Sequence, residues 1–388
     1  MMQATRDFVG YGSRPPDLHW PGGARLAVNF VLNYEEGAEY SIVDGDGKSD
    51  AVLTEVAQAR VPPGVRDLGA ESMFEYGSRV GFWRLHSLFR ERGLPLTVFA
   101  AALALERNPA AAQAIAATNW DVVCHGWRWI EQYLLDEATE RDHIARAYDT
   151  IHRLIGRRAE GWYCRYAPSA HTRRLVVEHG GFTYDSDAYN DELPYWVTVN
   201  TRPHLVVPYS LATNDAKLVG GPLVPGRAFG EFLIDSANEL LAESARHPRM
   251  MSIGMHARIL GQPGRIGGLR PAWPNCPAVG ASCCKPAWPK ATAPSTTWTS
   301  SAPARPVNSC ARWTNRSKPA RRPSPPSSPP MKSCKPRPSG STPFLGWAWS
   351  PPQRCWPSCP SWDASATKRR RPWRAWRRTI GTAEPAKG

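Results

Sequence analysis

No apolar run in this 388-residue chain approaches the roughly 18 residues of a membrane-spanning helix, which excludes a helical integral membrane protein. The opening Met1-Met2-Gln3-Ala4-Thr5-Arg6-Asp7 has no apolar stretch of the kind a secretory signal carries, so a cytoplasmic location is expected. Neither GxGxxG nor GxxxxGK[ST] occurs, which argues against the common nucleotide folds. Asp44-Gly45-Asp46-Gly47 lacks the further ligand positions and the terminal Glu of a calcium loop, and reads as a turn. Residues 1–270 contain only Cys124 and Cys164, too few for a disulfide framework and in keeping with a reducing compartment. A chain of this length needs no such framework, because it can bury a sizeable core.

The formal charge of +14 hides two unlike pieces. Residues 1–270 hold 28 Lys+Arg against 32 Asp+Glu, a net of −4, while residues 271–388 hold 20 against 2, a net of +18. The basicity therefore says nothing about partners of the first piece, for which neither nucleic acid nor a membrane is expected. The second piece has no His or Tyr and only five Val, Ile, Leu and Phe, yet it carries 23 Pro, 10 Trp and 7 Cys. So few aliphatic side chains cannot offset chain entropy, so an unstructured C-terminal tail is expected. Its Pro, Arg, Ala, Ser, Trp, Cys and Gly resemble GC-rich DNA translated out of frame. Two other readings stay open. One is a basic tail for nucleic acid or anionic surfaces, with Lys368-Arg369-Arg370-Arg371-Pro372-Trp373-Arg374 as its best stretch. The other is a metal or disulfide module, which the absence of paired CxxC spacing disfavours.

Within 1–270, strand and helix signals alternate. Strands are expected at Arg25–Tyr34, Leu96–Ala101, Trp120–Cys124, Gly161–Cys164, Phe182–Tyr184, Leu205–Pro208 and Met250–Met255. Helices are expected at Tyr76–Arg92, in a short Ala-rich run opened by Pro109, and at Asp136–Ile155, His171–His179 and Phe229–Ala245. The last would face Phe229, Phe232, Leu233, Leu240 and Leu241 inward. Residues 36–75 form a long excursion. The alternation implies an α/β fold with parallel strands, as a doubly wound sheet or a barrel.

Chemistry in such folds gathers at the carboxyl ends of strands. Here those ends run into Glu35-Glu36, His125, Arg165, Asp185 with Asp187, and His256. Taken singly, adjacent acids are usually solvated, a lone His is usually packed and a lone Arg usually makes a surface ion pair. Their coincidence on one face points to a site.

Several motifs then resemble one family. Asn29-Phe30-Val31-Leu32-Asn33-Tyr34-Glu35-Glu36-Gly37, Cys124-His125-Gly126-Trp127-Arg128-Trp129, Arg165-Tyr166-Ala167-Pro168 and Ile253-Gly254-Met255-His256 are similar to the motifs of the polysaccharide deacetylase (NodB-homology) family. Tyr34-Glu35-Glu36-Gly37, Glu75-Tyr76-Gly77-Ser78-Arg79, Tyr184-Asp185-Ser186-Asp187, Leu193-Pro194-Tyr195-Trp196 and Thr213-Asn214-Asp215 resemble its allantoinase-type branch, of bacterial purine breakdown. The likeness covers about residues 6–270. It implies a distorted (β/α)7-type barrel and hydrolysis of an amide C–N bond that is not a peptide bond. It also implies that a final helix should follow Leu269, and an inactive truncated product is one reading of its absence. The usual deacetylases hold a divalent metal through a first-motif acid and two His four residues apart. Trp129 stands at the second His position, and indole cannot ligate. No cofactor is therefore expected. Zinc is the alternative, with Glu36 and His125 as its ligands.

By the same resemblance Glu35 is the expected base for water, its pKa raised by the facing Glu36, which would position water or substrate. His125 and His256 would stabilise an oxyanion and deliver a proton. Arg165 would grip a ureido oxygen, while Asp187, Trp196 and Asn214 would shape the pocket and Trp129 would wall it. The substrate would be a small molecule, an allantoin-like cyclic ureide or, in the alternative, an N-acetyl sugar; self-association is left open. Cys124 and Cys164 read as structural rather than nucleophilic.

Resequencing past the codon for Arg270 should reveal a shifted frame. A confirmed frame with a tail that resists limited proteolysis would overturn that expectation.

Overall fold

A computed structural model of the chain describes residues 6–16, 18–56, 61–219 and 225–269. The expectations for residues 271–388 lie outside the described residues. Strand β1, Leu26–Tyr34, is followed by the excursion and by helix α1, Leu68–Tyr76. A π-helical turn over Gly77–Gly81 joins α1 to α2, Phe82–Glu91. Then come β2 (Thr97–Ala100), α3 (Ala102–Arg107), α4 (Pro109–Ala116), β3 (Asp121–Cys124), α5 (Glu137–Ile155), β4 (Gly161–Trp162), α6 (Thr172–His179) and β5 (Tyr184–Asp185). The chain continues through β6 (Tyr195–Val199), β7 (Arg202–Val206), α7 (Gly226–Glu243), β8 (Arg249–His256) and α8 (Pro263–Ile266).

The strands form one sheet in the order β6-β7-β5-β4-β3-β2-β1-β8. All neighbours are parallel except the β6–β7 hairpin. Both faces are buried. Val28, Phe30 and Leu32 of β1 pack against the surrounding helices. Val31, on the opposite face, meets Phe99, Val123, Tyr163, Tyr184, Leu205 and Tyr209. Side chains from five strands, joined by Tyr163 after β4 and Tyr209 after β7, can touch only if the sheet curls around them, and the architecture is the expected distorted barrel. Among the described residues β6 and β8 do not pair. Their seam is filled by Trp20, Ala27, Leu193 and Met250, and Trp20 Nε1 donates to the Arg249 carbonyl at 3.0 Å.

Local signals account for most elements. The side chain of Asp136 caps α5, accepting from the Thr139 N–H, and Gly156 ends it at φ 77°. Asn108 caps α4 in the same way ahead of Pro109.

Three expectations need correction. Sequence reading gives seven strands, and the eighth is β6. Its hairpin turns on Asn200-Thr201, both at positive φ, where a Gly would be the usual marker. The helix expected from Tyr76 starts at Leu68, where the Asp67 side chain caps it by accepting from the Ala70 N–H; the sequence hides this turn because only Ala70 and Phe74 of α1 are buried. Phe232 is 48% exposed rather than inward, while Phe229 and Leu233 are buried.

The π-turn brings its helix close to the strand ends. A Cβ at Gly77 would stand 2.5 Å from Glu36 Oε1, and one at Gly81 would fall inside the Ala257 carbonyl oxygen. Gly81→Ala should therefore lower stability by about 1–3 kcal/mol, read by denaturant unfolding, because backbone rather than a flexible side chain must yield. An unchanged midpoint would show that the packing there is loose.

Candidate active site

Glu35 and Glu36 directly follow β1, His125 follows β3 and His256 ends β8. Parallel pairing sets Asn33 beside His256 on one side, while the main-chain N–H of His125 bonds the Ala100 carbonyl at the end of β2. These strand ends converge on Glu35. His125 Nε2 lies 3.2 Å and His256 Nε2 3.5 Å from its Oε1, and Arg258 Nη2 donates to its Oε2 at 2.8 Å. All four side chains are buried.

Proton positions follow from the other partners. His125 Nδ1 stands 2.9 Å from the Tyr163 carbonyl, which can only accept, so Nδ1 carries the hydrogen. His256 Nδ1 stands 2.6 Å from Asp215 Oδ1, and its main-chain N–H donates to Asp215 Oδ2 at 2.8 Å. Both Nε2 atoms are thereby turned on the same carboxylate oxygen. Burial penalises the imidazolium of His256, but the charges of Glu35 and Asp215 outweigh it and push its pKa up to about 9. Burial also penalises ionised Glu35. His256, Arg258 and the hydrogen bond from His125 nevertheless hold it well below the usual carboxylate range. Glu36 goes the other way, raised by burial and by Glu35 against the pull of Arg258.

This reverses the expectation that Glu36 would raise Glu35. His256 and Arg258 are the reason: the imidazolium faces Glu35, and Arg258 holds Glu35 through Nη2 while donating to Glu36 Oε1 from Nη1 at 3.3 Å and from its main-chain N–H at 3.1 Å. A second correction concerns Arg165, whose fork is not free. Its Nη1 donates to Asp50 at 2.5 Å and to the Trp129 carbonyl at 3.0 Å, and its guanidinium lies 3.8 Å from the centre of the Trp129 ring.

Trp129 is buried between Arg165 and Arg258, the latter 4.8 Å from its ring centre. Asn214 caps the short turn that carries Asp215 and donates to the Tyr209 hydroxyl at 3.0 Å. Asp187 accepts from the Cys164 N–H at 2.7 Å, and burial with nearby Asp185 pushes its pKa up to about 7. Trp196, on β6, packs on the interior cluster from its edge and borders a cleft of about 1110 Å³. That cleft is lined by residues 6–12 and 190–196 among others, and by none of the four converging side chains. Cys124 and Cys164 are free and buried; burial pushes the first up to about 12 and the second well above its ordinary value. Neither suits a nucleophile.

Sequence reading missed Arg258 and Asp215. Arg258 stands two residues past His256, a spacing that could have marked it; Asp215 is the neighbour of the Asn214 that was chosen.

The family's metal does not fit these residues. Every oxygen of Glu35 and Glu36 already faces a donor, Glu36 Oε2 accepting from the Glu35 N–H at 3.2 Å. Trp129 offers no lone pair. Among the described residues no three His, Cys, Asp or Glu side chains are arranged to hold an ion.

The pKa shifts predict a pH dependence of stability. His256 contributes most below its unfolded value near 6.5, and that contribution is lost as pH rises through 9. Glu35 contributes above its unfolded value of 4.5 and loses its contribution in acid. Asp215→Asn should flatten the alkaline fall, which in the parent is on the order of 3 kcal/mol between pH 6 and pH 10. Unfolding midpoints at the two pH values check it, and parallel curves for parent and variant would refute it.

Comparisons with known proteins identify the family. Residues 70–184 match the family described as Polysaccharide deacetylase. A Schizosaccharomyces pombe protein named "Putative polysaccharide deacetylase" is 36% identical over 289 residues, which is 69% of this chain and 90% of that protein. The crystal structure of a probable polysaccharide deacetylase from Pseudomonas aeruginosa superposes with a TM-score of 0.65 at 47% identity, covering 68% of this chain and 89% of that one. That of PuuE allantoinase superposes with a TM-score of 0.66 at 46% identity, covering 69% and 89%. The chain belongs to the polysaccharide deacetylase family, hydrolases of carbon–nitrogen bonds other than peptide bonds.

Proposed function

We propose that this enzyme opens the ring of an allantoin-like cyclic ureide. Water attacks a ring carbonyl, the adjacent C–N bond breaks, and the freed nitrogen takes a proton. Glu35, held ionised, accepts the proton of the attacking water, and His125, fixed through Nδ1 on the Tyr163 carbonyl, turns Nε2 on Glu35 and orients that carboxylate. His256, held cationic by Asp215 and Glu35, supplies the proton to the leaving nitrogen and faces the developing oxyanion beforehand. Glu36 stays in place as the partner of Arg258 and orients water or substrate. Arg165 holds Asp50 and Trp129, so it shapes the pocket rather than gripping the substrate directly. Trp129 forms an apolar wall, with Trp196, Asn214 and Asp187 further out.

The observation that carries this reading is Trp129 beside Arg258, where a deacetylase would need a second imidazole and free acids. The 46% identity to PuuE allantoinase supports it. The two free buried thiols suit a cytoplasmic enzyme.

Purified protein should hydrolyse allantoin, and exhaustive chelation should leave the rate unchanged. Activity on acetylated chito-oligosaccharide alone, lost to chelator and restored by zinc, would instead make this a metal-dependent N-deacetylase. Glu35→Gln should lower kcat by about 10²–10⁴ in a protein that still folds, with its melting temperature reduced by the loss of the ion pairs to Arg258 and His256. Activity within a few-fold of the parent would remove Glu35 from the chemistry.

A further inference from the structure

The side chain of Arg258 is almost wholly enclosed, with the residue only 3% exposed. Its guanidinium lies against two rings that meet edge to face, 4.6 Å from the centre of Phe74 and 4.8 Å from that of Trp129, the ring centres being 6.2 Å apart. Nε donates to the Leu53 carbonyl at 2.9 Å, Nη2 to Glu35 at 2.8 Å and Nη1 to Glu36 at 3.3 Å. A planar cation with three nitrogens hydrogen-bonded and two aromatic rings packed against it is held in one position. That position spans both acids at the end of β1, which would otherwise face each other unpaired in a dry setting.

We propose that Arg258 is a built-in cation, a positioning residue that neutralises Glu35 and Glu36 and thereby keeps divalent metal out of the site. The proposal rests on the metal-free reading above and deepens it. Two barriers oppose an ion here. A guanidinium already occupies the carboxylate oxygens that an ion would need. Its charge would also repel a second cation a few ångströms away in a medium that screens poorly. Trp129 contributes twice, by withholding an imidazole and by packing its ring against Arg258. On this account, restoring a histidine at 129 is insufficient by itself to create a metal site, and the arginine must leave as well.

Zinc titration by calorimetry, with metal analysis after dialysis, tests this on four full-length proteins: parent, Trp129→His, Trp129→His/Arg258→Ala and Arg258→Lys. The parent and Trp129→His should hold zinc only substoichiometrically. The double variant should bind one zinc about 10–100-fold more tightly than Trp129→His. Arg258→Lys keeps a charge but cannot fork both acids. It should stay free of zinc, while the acid limb of its kcat/KM profile moves up by about one pH unit as Glu35 loses its partner. Stoichiometric zinc in the parent would overturn both the metal-free reading and this proposal. A metal-free parent, with Trp129→His binding zinc as tightly as the double variant, would overturn the proposal alone. If the double variant does not fold, Arg258→Lys decides, and an unmoved acid limb refutes the role.

Discussion

Two carboxylates at the end of a buried strand require a counter-charge, and the remainder of the site is organised by how it is supplied. Desolvated acids side by side would normally shed one charge by protonation. Here Arg258 lies across both, and His256 adds a second cation that Asp215 sustains from behind. Ionised Glu35 is the product of that arrangement, and so is the split between a low Glu35 and a raised Glu36. The β1–β8 pairing makes it available, because the eight-residue register from Leu26–Arg249 to Asn33–His256 delivers acid, imidazole and guanidinium to one strand end.

The excursion after Glu36 forms a roof over these groups, fastened by arginines from the strand-end loops and helices. Arg107 reaches Asp44 at 3.0 Å, Arg128 reaches Asp46 at 2.6 Å, Arg165 reaches Asp50 at 2.5 Å and Arg265 reaches Glu55 at 2.5 Å. Backbone contacts add to this, including Trp129 N–H to the Ala38 carbonyl at 2.9 Å. Exposed ion pairs contribute little to stability one by one. The Arg165–Asp50 pair is different in kind, because it is buried and stacked on Trp129.

Much of this was legible in the sequence. β1 announced itself by alternation, and the run of ionisable groups at successive strand ends marked the face on which Glu35, His125 and His256 converge. What stayed hidden depended on distant partners. Nothing near Glu35 in the sequence signals its charge state, because the groups that set it, His256 and then Arg258, stand more than 200 residues away, Arg258 by 223. Arg165 looked like a free fork because Asp50, its partner, sits in a segment with no periodicity to interpret. The strand β6 was missed for a local reason, an Asn-Thr turn that adopts a glycine-like backbone without a glycine.

The roof and the reactive acids belong to one stretch of chain. Glu36 begins the segment that Asp50 and Leu53 close over it, so the covering cannot swing away without pulling on the chemistry. The position of the acids is therefore tied to the contacts of that cover: a change at Asp50 or Leu53 reaches Arg165 and Arg258, and through Arg258 both carboxylates.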